Sequence, residues 1–269
     1  MKSFFQSRGF RVLRFFAVAY GCLVLFACTM ADRMIFMPPR PSYSAEVPSL
    51  VAIPAGNGDT IAAFHYPAKA GEPTVLYSHG NAEDAGHSIK LYQQWQAKGW
   101  GVLAYDYPGY GRSSGRPTES GAEYAIDAAW RFLTETQSVN PSDIVVVGRS
   151  VGSGPSVWLT QEKTPAALIL ISPFTSAYAV MSPAQYLLPA NRFPNLRRIR
   201  RSEVPLLVIH GEVDGVIPTE HGRTLHAASP AEPKQFIGIP GAGHNDLYHL
   251  AGSEVLASIE DFVGQVRPD

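Results

Sequence analysis

Val145-Val146-Val147-Gly148-Arg149-Ser150-Val151-Gly152 reads as a buried β-branched strand that runs straight into Gly-x-Ser-x-Gly. The residues beyond it, through Trp158 and Leu159, suit a helix, which places the serine at a strand-to-helix turn. Two glycines leave room for a tight turn that holds the serine in a strained conformation. The new helix aims N–H groups and its positive end at that point. Ser150 is therefore the candidate nucleophile, and the Val151 N–H a candidate donor to a developing oxyanion. Chance also produces Gly-x-Ser-x-Gly in loops; the strand before and the helix after it separate the two readings.

Similar apolar runs recur on both sides of this stretch, at Thr74 to Ser78, Gly101 to Asp106, Ala167 to Ile171, Leu206 to His210 and Lys234 to Ile239. Between them lie helical patterns, the clearest from Gly121 to Thr136, with Ser120 and Glu123 as a capping box. Strands alternating with helices predict an α/β fold: a mainly parallel sheet of about eight strands with helices on both faces. Val47 to Ile53 and Ile61 to Tyr66 flank Gly56-Asn57-Gly58-Asp59, turn chemistry for an antiparallel hairpin at the sheet edge. Ligands bind such sheets beyond the carboxyl ends of the strands.

Three further strand ends carry polar motifs. After Ser78 comes His79-Gly80-Asn81-Ala82, where the N–H of Asn81, or else that of Ala82, is placed to face a substrate carbonyl. A serine hydroxyl needs a neutral imidazole to take its proton and a carboxylate to orient that imidazole. The loop Gly211-Glu212-Val213-Asp214 offers Asp214, with Glu212 as the alternative, and Gly241-Ala242-Gly243-His244 offers His244. In hydrolases that carry this elbow the order is serine, acid, histidine, which favours His244 over His79 as the base. His65, His87, His221, His226 and His249 read as surface or structural residues, and His210 as a brace for its loop. No metal-ligand spacing occurs, and Gly109 to Gly115 lacks the nucleotide-binding pattern, so no cofactor and no metal are expected.

The 269 residues, 45% hydrophobic and 17% charged, suit one catalytic domain over residues 46–269. A net charge of −1 without a basic stripe gives no nucleic-acid footprint. The two cysteines, Cys22 and Cys28, both fall in the N-terminal apolar stretch, so the domain has no disulfide framework. Lys2, Arg8, Arg11 and Arg14 followed by the apolar run Phe15 to Ala27 match a secretory signal. Leu25-Phe26-Ala27-Cys28 resembles a bacterial lipobox, which makes Cys28 a candidate lipidation site at the end of a 1–28 segment. An uncleaved anchor from Val12 to Met30 and ordinary cleavage are the alternatives. Read as exporting, the segment places the domain in the cell envelope, attached to a membrane and facing the periplasm or exterior. Residues 29–45, with Met37-Pro38-Pro39-Arg40-Pro41, read as a stiff spacer before the fold begins.

Taken together, residues 78–84, 105–115, 148–155, 208–214 and 241–246 resemble the α/β-hydrolase superfamily, and more closely its ABHD17 and Bem46-like branch. Met34 to Tyr43 is similar to the Pro-Pro segment that follows the membrane-attaching N-terminus in that branch. The resemblance implies thioesterase or esterase chemistry on acyl chains, with a small-molecule, lipid or acylated substrate. Peptidase or amidase action and an idle binding scaffold are the competing readings.

Between Ser172 and Leu206 lies a cap insertion, residues 174–203, rich in aromatics and in arginines (Arg192, Arg197, Arg198, Arg200, Arg201). Its apolar members, Phe174 and Tyr178 among them, are candidates to line an acyl slot, with Arg149 as a further substrate-binding candidate. Its arginines either face anionic lipid or substrate carboxylates or form a solvated rim. Oligomeric state does not follow from the sequence.

Overall fold

The computed structural model describes residues 8–181 and 192–267. Its elements run α1 (Arg8–Ile35), β1 (Leu50–Pro54), β2 (Thr60–Tyr66), β3 (Thr74–Ser78), α2 (Ile89–Ala97), β4 (Gly101–Tyr105), α3 (Glu119–Arg131), β5 (Ile144–Arg149) and α4 (Ser153–Leu159). There follow β6 (Ala167–Ile171), α5 (Ala177–Met181), α6 (Asn195–Ile199), β7 (Leu206–Gly211), α7 (Glu220–Ala228), β8 (Lys234–Ile239) and α8 (Leu247–Val266). The strands form one eight-stranded sheet in the order β1-β2-β4-β3-β5-β6-β7-β8. The expected hairpin is present: β1 pairs antiparallel with β2, β2 antiparallel with β4, and all later pairings are parallel.

Two cores follow from the period-2 alternation of buried strands. Ile144 and Val146 face α3 and α4, packing with Ala125, Ala129 and Val157. Val145 and Val147 face α2 and α8, packing with Trp95, Ile259 and Phe262. Leu168 and Leu170, then Ile169 and Ile171, divide in the same way. Each such side chain contributes roughly 1.5–3 kcal/mol on burial, so β5 and β6 anchor the serine turn firmly. The chain leaves β3 toward β4 on one side and resumes at β5 on the other, and ligand sites of open α/β sheets form at such a switch.

Two local expectations change. Helix α3 is capped by Thr118, whose Oγ1 accepts the Gly121 N–H at 2.9 Å, and Glu123 pairs with the cap residue Arg198 at 2.7 Å instead of completing a capping box with Ser120. The segment after residue 28 is not a spacer that precedes the fold. Helix α1 crosses the expected boundary without a break, and Ile35 and Phe36 join the core. Phe36 packs edge-on against Tyr107, Tyr110 and Phe193, and the Tyr43 hydroxyl donates to Asp106. The proline run is thus a strap fastened at both ends, where missing N–H groups cost nothing because no ladder demands them. No described helix is long and apolar enough to cross a membrane. Cys28 lies within α1, but its side chain is outside the described residues.

Candidate active site

Strand β5 ends at Arg149, and Ser150 adopts a left-handed backbone with φ of 53°. That conformation is costly for a non-glycine residue and survives only when its surroundings enforce it. They do so here through close approach. A Cβ on Gly148 would lie 2.5 Å from Ser156 Oγ, and one on Gly152 would lie 2.2 Å from the Ser78 carbonyl oxygen. The two glycines of the motif therefore permit β3 and α4 to clasp the turn from either side. Ser150 remains 8% exposed and lines a cavity at the strand ends.

The last two strand ends supply the partners. His244 Nε2 accepts from Ser150 Oγ at 3.0 Å, and with the proton on Nδ1 the imidazole donates to Asp214 Oδ2 at 2.7 Å. Asp214 Oδ1 accepts the N–H groups of Val216 and Ile217 at 2.9 and 2.8 Å. Burial by itself would raise the Asp214 pKa, but hydrogen bonds from His210, His244 and Ile217 outweigh it and hold the group well below the ordinary carboxylate range. Glu212, the alternative acid, instead lies 3.5 Å from Arg223 on the half-exposed side of the loop. His210 braces this loop by a 2.8 Å bond to the Ile217 carbonyl. His79 is fully buried, bonded to the Gly80 carbonyl at 2.7 Å, 3.4 Å from Asp106 and packed on Tyr107, while the hydrogen bond with Ser150 is made by His244.

Asn81, Val151 and Ser150 line one cavity of about 340 Å³. Among the described residues the Asn81 N–H has no intramolecular acceptor, whereas the Ala82 N–H bonds to Asn81 Oδ1 at 2.9 Å and the Gly80 N–H to Glu83 Oε1 at 2.6 Å. Of the N–H groups from Gly80 to Ala82, Asn81 thus presents the free one. Arg149 borders the cavity, but its guanidinium is already engaged, with Glu83 at 2.7 Å and the His244 carbonyl at 3.3 Å. It ties the loop after β3 to the histidine loop.

Phe174 lines the cavity together with Ala177 and Val180, which lie one turn apart on α5. Tyr178, on another face of that helix, is buried and does not border the cavity. Tyr186, Leu187 and Leu188 of the cap lie outside the described residues. Two of the cap arginines turn inward: Arg192 pairs with Asp32 of α1 at 3.1 Å, and Arg198 with Glu119 and Glu123 of α3 at 3.3 and 2.7 Å. They fasten the cap rather than reach for a ligand, while Arg197, Arg200 and Arg201 stay exposed. Sequence reading missed Met34, Ile35 and Met37, which form a further wall of the cavity. The one available signal was the apolar Met34 to Met37 block just ahead of the prolines.

The ion cluster carries a pH signature. Burial, with repulsion from Glu119, raises the Glu123 pKa to about 7 against the pull of Arg198. Between about pH 4.5 and 7 the folded state holds a proton that the unfolded chain has lost, so stability falls as pH rises through that window and levels off above it. Glu123→Gln is expected to flatten this slope, a difference of about 1–2 kcal/mol after solvent screening, read as melting temperature against pH. Parallel curves for the two proteins would contradict it.

Comparison with known proteins agrees with this architecture. Residues 70–198 match the family model described as serine aminopeptidase, S33. An uncharacterised protein of Mycobacterium tuberculosis is 33% identical over 96% of both chains. Human alpha/beta hydrolase domain-containing protein 17B is 39% identical over 71% of this chain and 66% of its own length. An esterase of Pyrococcus furiosus superposes with a TM-score of 0.71 at 17% identity, covering 85% of this chain and 99% of that one, and so shares the fold. The chain belongs to the α/β-hydrolase superfamily and is similar to its ABHD17 branch.

Proposed function

We propose that this hydrolase is a membrane-associated serine esterase or thioesterase that cleaves acyl chains through an acyl-enzyme on Ser150. The observation that carries the proposal is the unbroken Ser150–His244–Asp214 hydrogen-bond chain opening into a cavity with apolar walls. Ser150 Oγ attacks the substrate carbonyl as His244 Nε2 takes its proton, and the N–H groups of Asn81 and Val151 receive the oxyanion. The leaving alcohol or thiol departs with the proton from His244. Water, deprotonated by the same imidazole, then attacks the acyl-enzyme and releases the carboxylic acid. Asp214, ionised and fixed by its loop, holds the tautomer that makes both transfers possible.

The walls of the cavity support an acyl substrate. Met34, Ile35, Phe174, Val180 and Ile217 offer hydrocarbon to an acyl chain. Each methylene buried there is worth about 0.8 kcal/mol, a three- to fourfold gain in kcat/KM. A series of p-nitrophenyl esters and acyl thioesters from acetyl upward is expected to show that rise until the slot is full; preference for acetyl would overturn the acyl-slot reading. Membrane association belongs to the same proposal. Its support is α1, where Val12, Leu13, Phe15, Phe16 and Val18 are 50–68% exposed beside Arg11 and Arg14.

Amide cleavage is the second reading, favoured by the aminopeptidase description of the matching model. An aminopeptidase needs a carboxylate to receive the substrate ammonium group, and no Asp or Glu lines the cavity among the described residues. Faster turnover of an aminoacyl anilide than of any ester in the series would select this second reading.

A further inference from the structure

The loop that carries the Asn81 N–H is not held by its own bonds alone. Ala82 sits at a left-handed φ of 56°, a conformation that a non-glycine residue keeps only under restraint. Beside its local bonds, restraint comes from a distant part of the chain. Asn81 Nδ2 donates to the Ile35 carbonyl at 2.5 Å, and Asn81 Oδ1 accepts the Met37 N–H at 2.9 Å. Tyr110, fully buried, closes the arrangement: its hydroxyl accepts from the Met37 N–H at 2.8 Å and donates to Asn81 Oδ1 at 2.7 Å. The end of α1 is itself pinned, by Phe36 among three aromatic rings and by Asp32 on Arg192 of the cap.

We infer that the Asn81 side chain and Tyr110 are positioning residues that clamp the Ile35–Met37 segment to the oxyanion loop, so that this segment sets both the aim of the Asn81 N–H and the depth of the acyl slot. The inference rests on the function proposed above and deepens it. The backbone N–H faces the reacting carbonyl, while the side chain of the same residue grips the strap. Displacement of the strap therefore tilts the donor. An oxyanion donor acts through its direction and its 2.7–3.1 Å reach, and its complete loss costs about 10²–10³ in rate. A tilt forfeits part of that amount. The same strap places Met34 and Met37 against the cavity, so shortening these side chains lengthens the slot without touching the donor.

The test uses the full chain with Tyr110→Phe, Asn81→Ala and the double variant Met34→Ala with Met37→Ala. Both clamp variants keep the Asn81 N–H. Each is expected to lower kcat about tenfold, and to weaken a trifluoromethyl ketone, whose adduct places an oxyanion, by a similar factor, while KM for a short ester and the melting temperature of Tyr110→Phe stay close to wild type. The methionine variant is expected to shift the preferred acyl length upward, read as kcat/KM across the ester series. Unchanged kcat and ketone affinity in folded Tyr110→Phe and Asn81→Ala would overturn the clamp, as would losses confined to KM. An unshifted length profile would overturn the role of the strap in slot depth. Ser150→Ala, run alongside, separates the outcomes: if it retains activity the proposed mechanism fails, and if it is inactive while the clamp variants match wild type only the clamp fails.

Discussion

Ser150→Ala is expected to lower kcat for ester hydrolysis by about 10⁴- to 10⁶-fold while leaving KM within a few-fold of wild type. In serine hydrolases the nucleophile and the base act as a unit, and loss of either removes nearly all of the covalent route. What survives is the contribution of binding and of the oxyanion donors. Stability has the opposite expectation. The left-handed backbone at Ser150 persists because β3 and α4 clasp the turn, and the loss of one hydroxyl does not release that clasp. Steady-state kinetics with a melting curve on the same preparation reads both. A variant with more than a tenth of wild-type kcat would place the chemistry elsewhere.

Asp214→Asn is expected to reduce kcat by roughly 10⁴-fold, because an amide in that position favours the imidazole tautomer with the proton on the wrong nitrogen. The substitution also has a pH signature. The folded-state pKa of Asp214 is depressed, so its contribution to stability is complete above the unfolded value near pH 4 and is lost as pH falls toward the folded value. Acid titration of the melting temperature is expected to fall more steeply below about pH 4 in wild type than in Asp214→Asn. Equal slopes would mean that the carboxylate is not held by His210, His244 and the Ile217 N–H in the way the geometry implies.

Where the chain writes its structure in local periodicity, the sequence was readable. The six apolar runs became β3 to β8 with boundaries moved by a residue or two, and the Gly-Asn-Gly-Asp turn joined β1 to β2 as an edge hairpin. The placement of Ser150, Asp214 and His244 at strand ends was equally legible, since chain order and turn glycines leave few alternatives. Pairings that join distant segments were not. Arg149 meets Glu83 from 66 positions away and Asn81 meets Ile35 from 46, distances over which no local pattern carries information. The N-terminal strap failed for a different reason. A basic, apolar start followed by prolines carries the signature of an address and a spacer, and that signature hides the few residues, Ile35, Phe36 and Tyr43, that pack into the domain. The inward cap arginines had left one trace: Glu119 and Glu123 are spaced four apart on α3 and so share the face that receives Arg198.

If Ser150 Oγ is the attacking atom, a fluorophosphonate bonds to it covalently, and peptide mass spectrometry identifies the labelled residue. Stoichiometric modification of folded wild-type protein at Ser150 is expected, with none in Ser150→Ala and slowed modification in Asp214→Asn. Folded wild-type protein that takes up no label, or takes it at another residue, would contradict it.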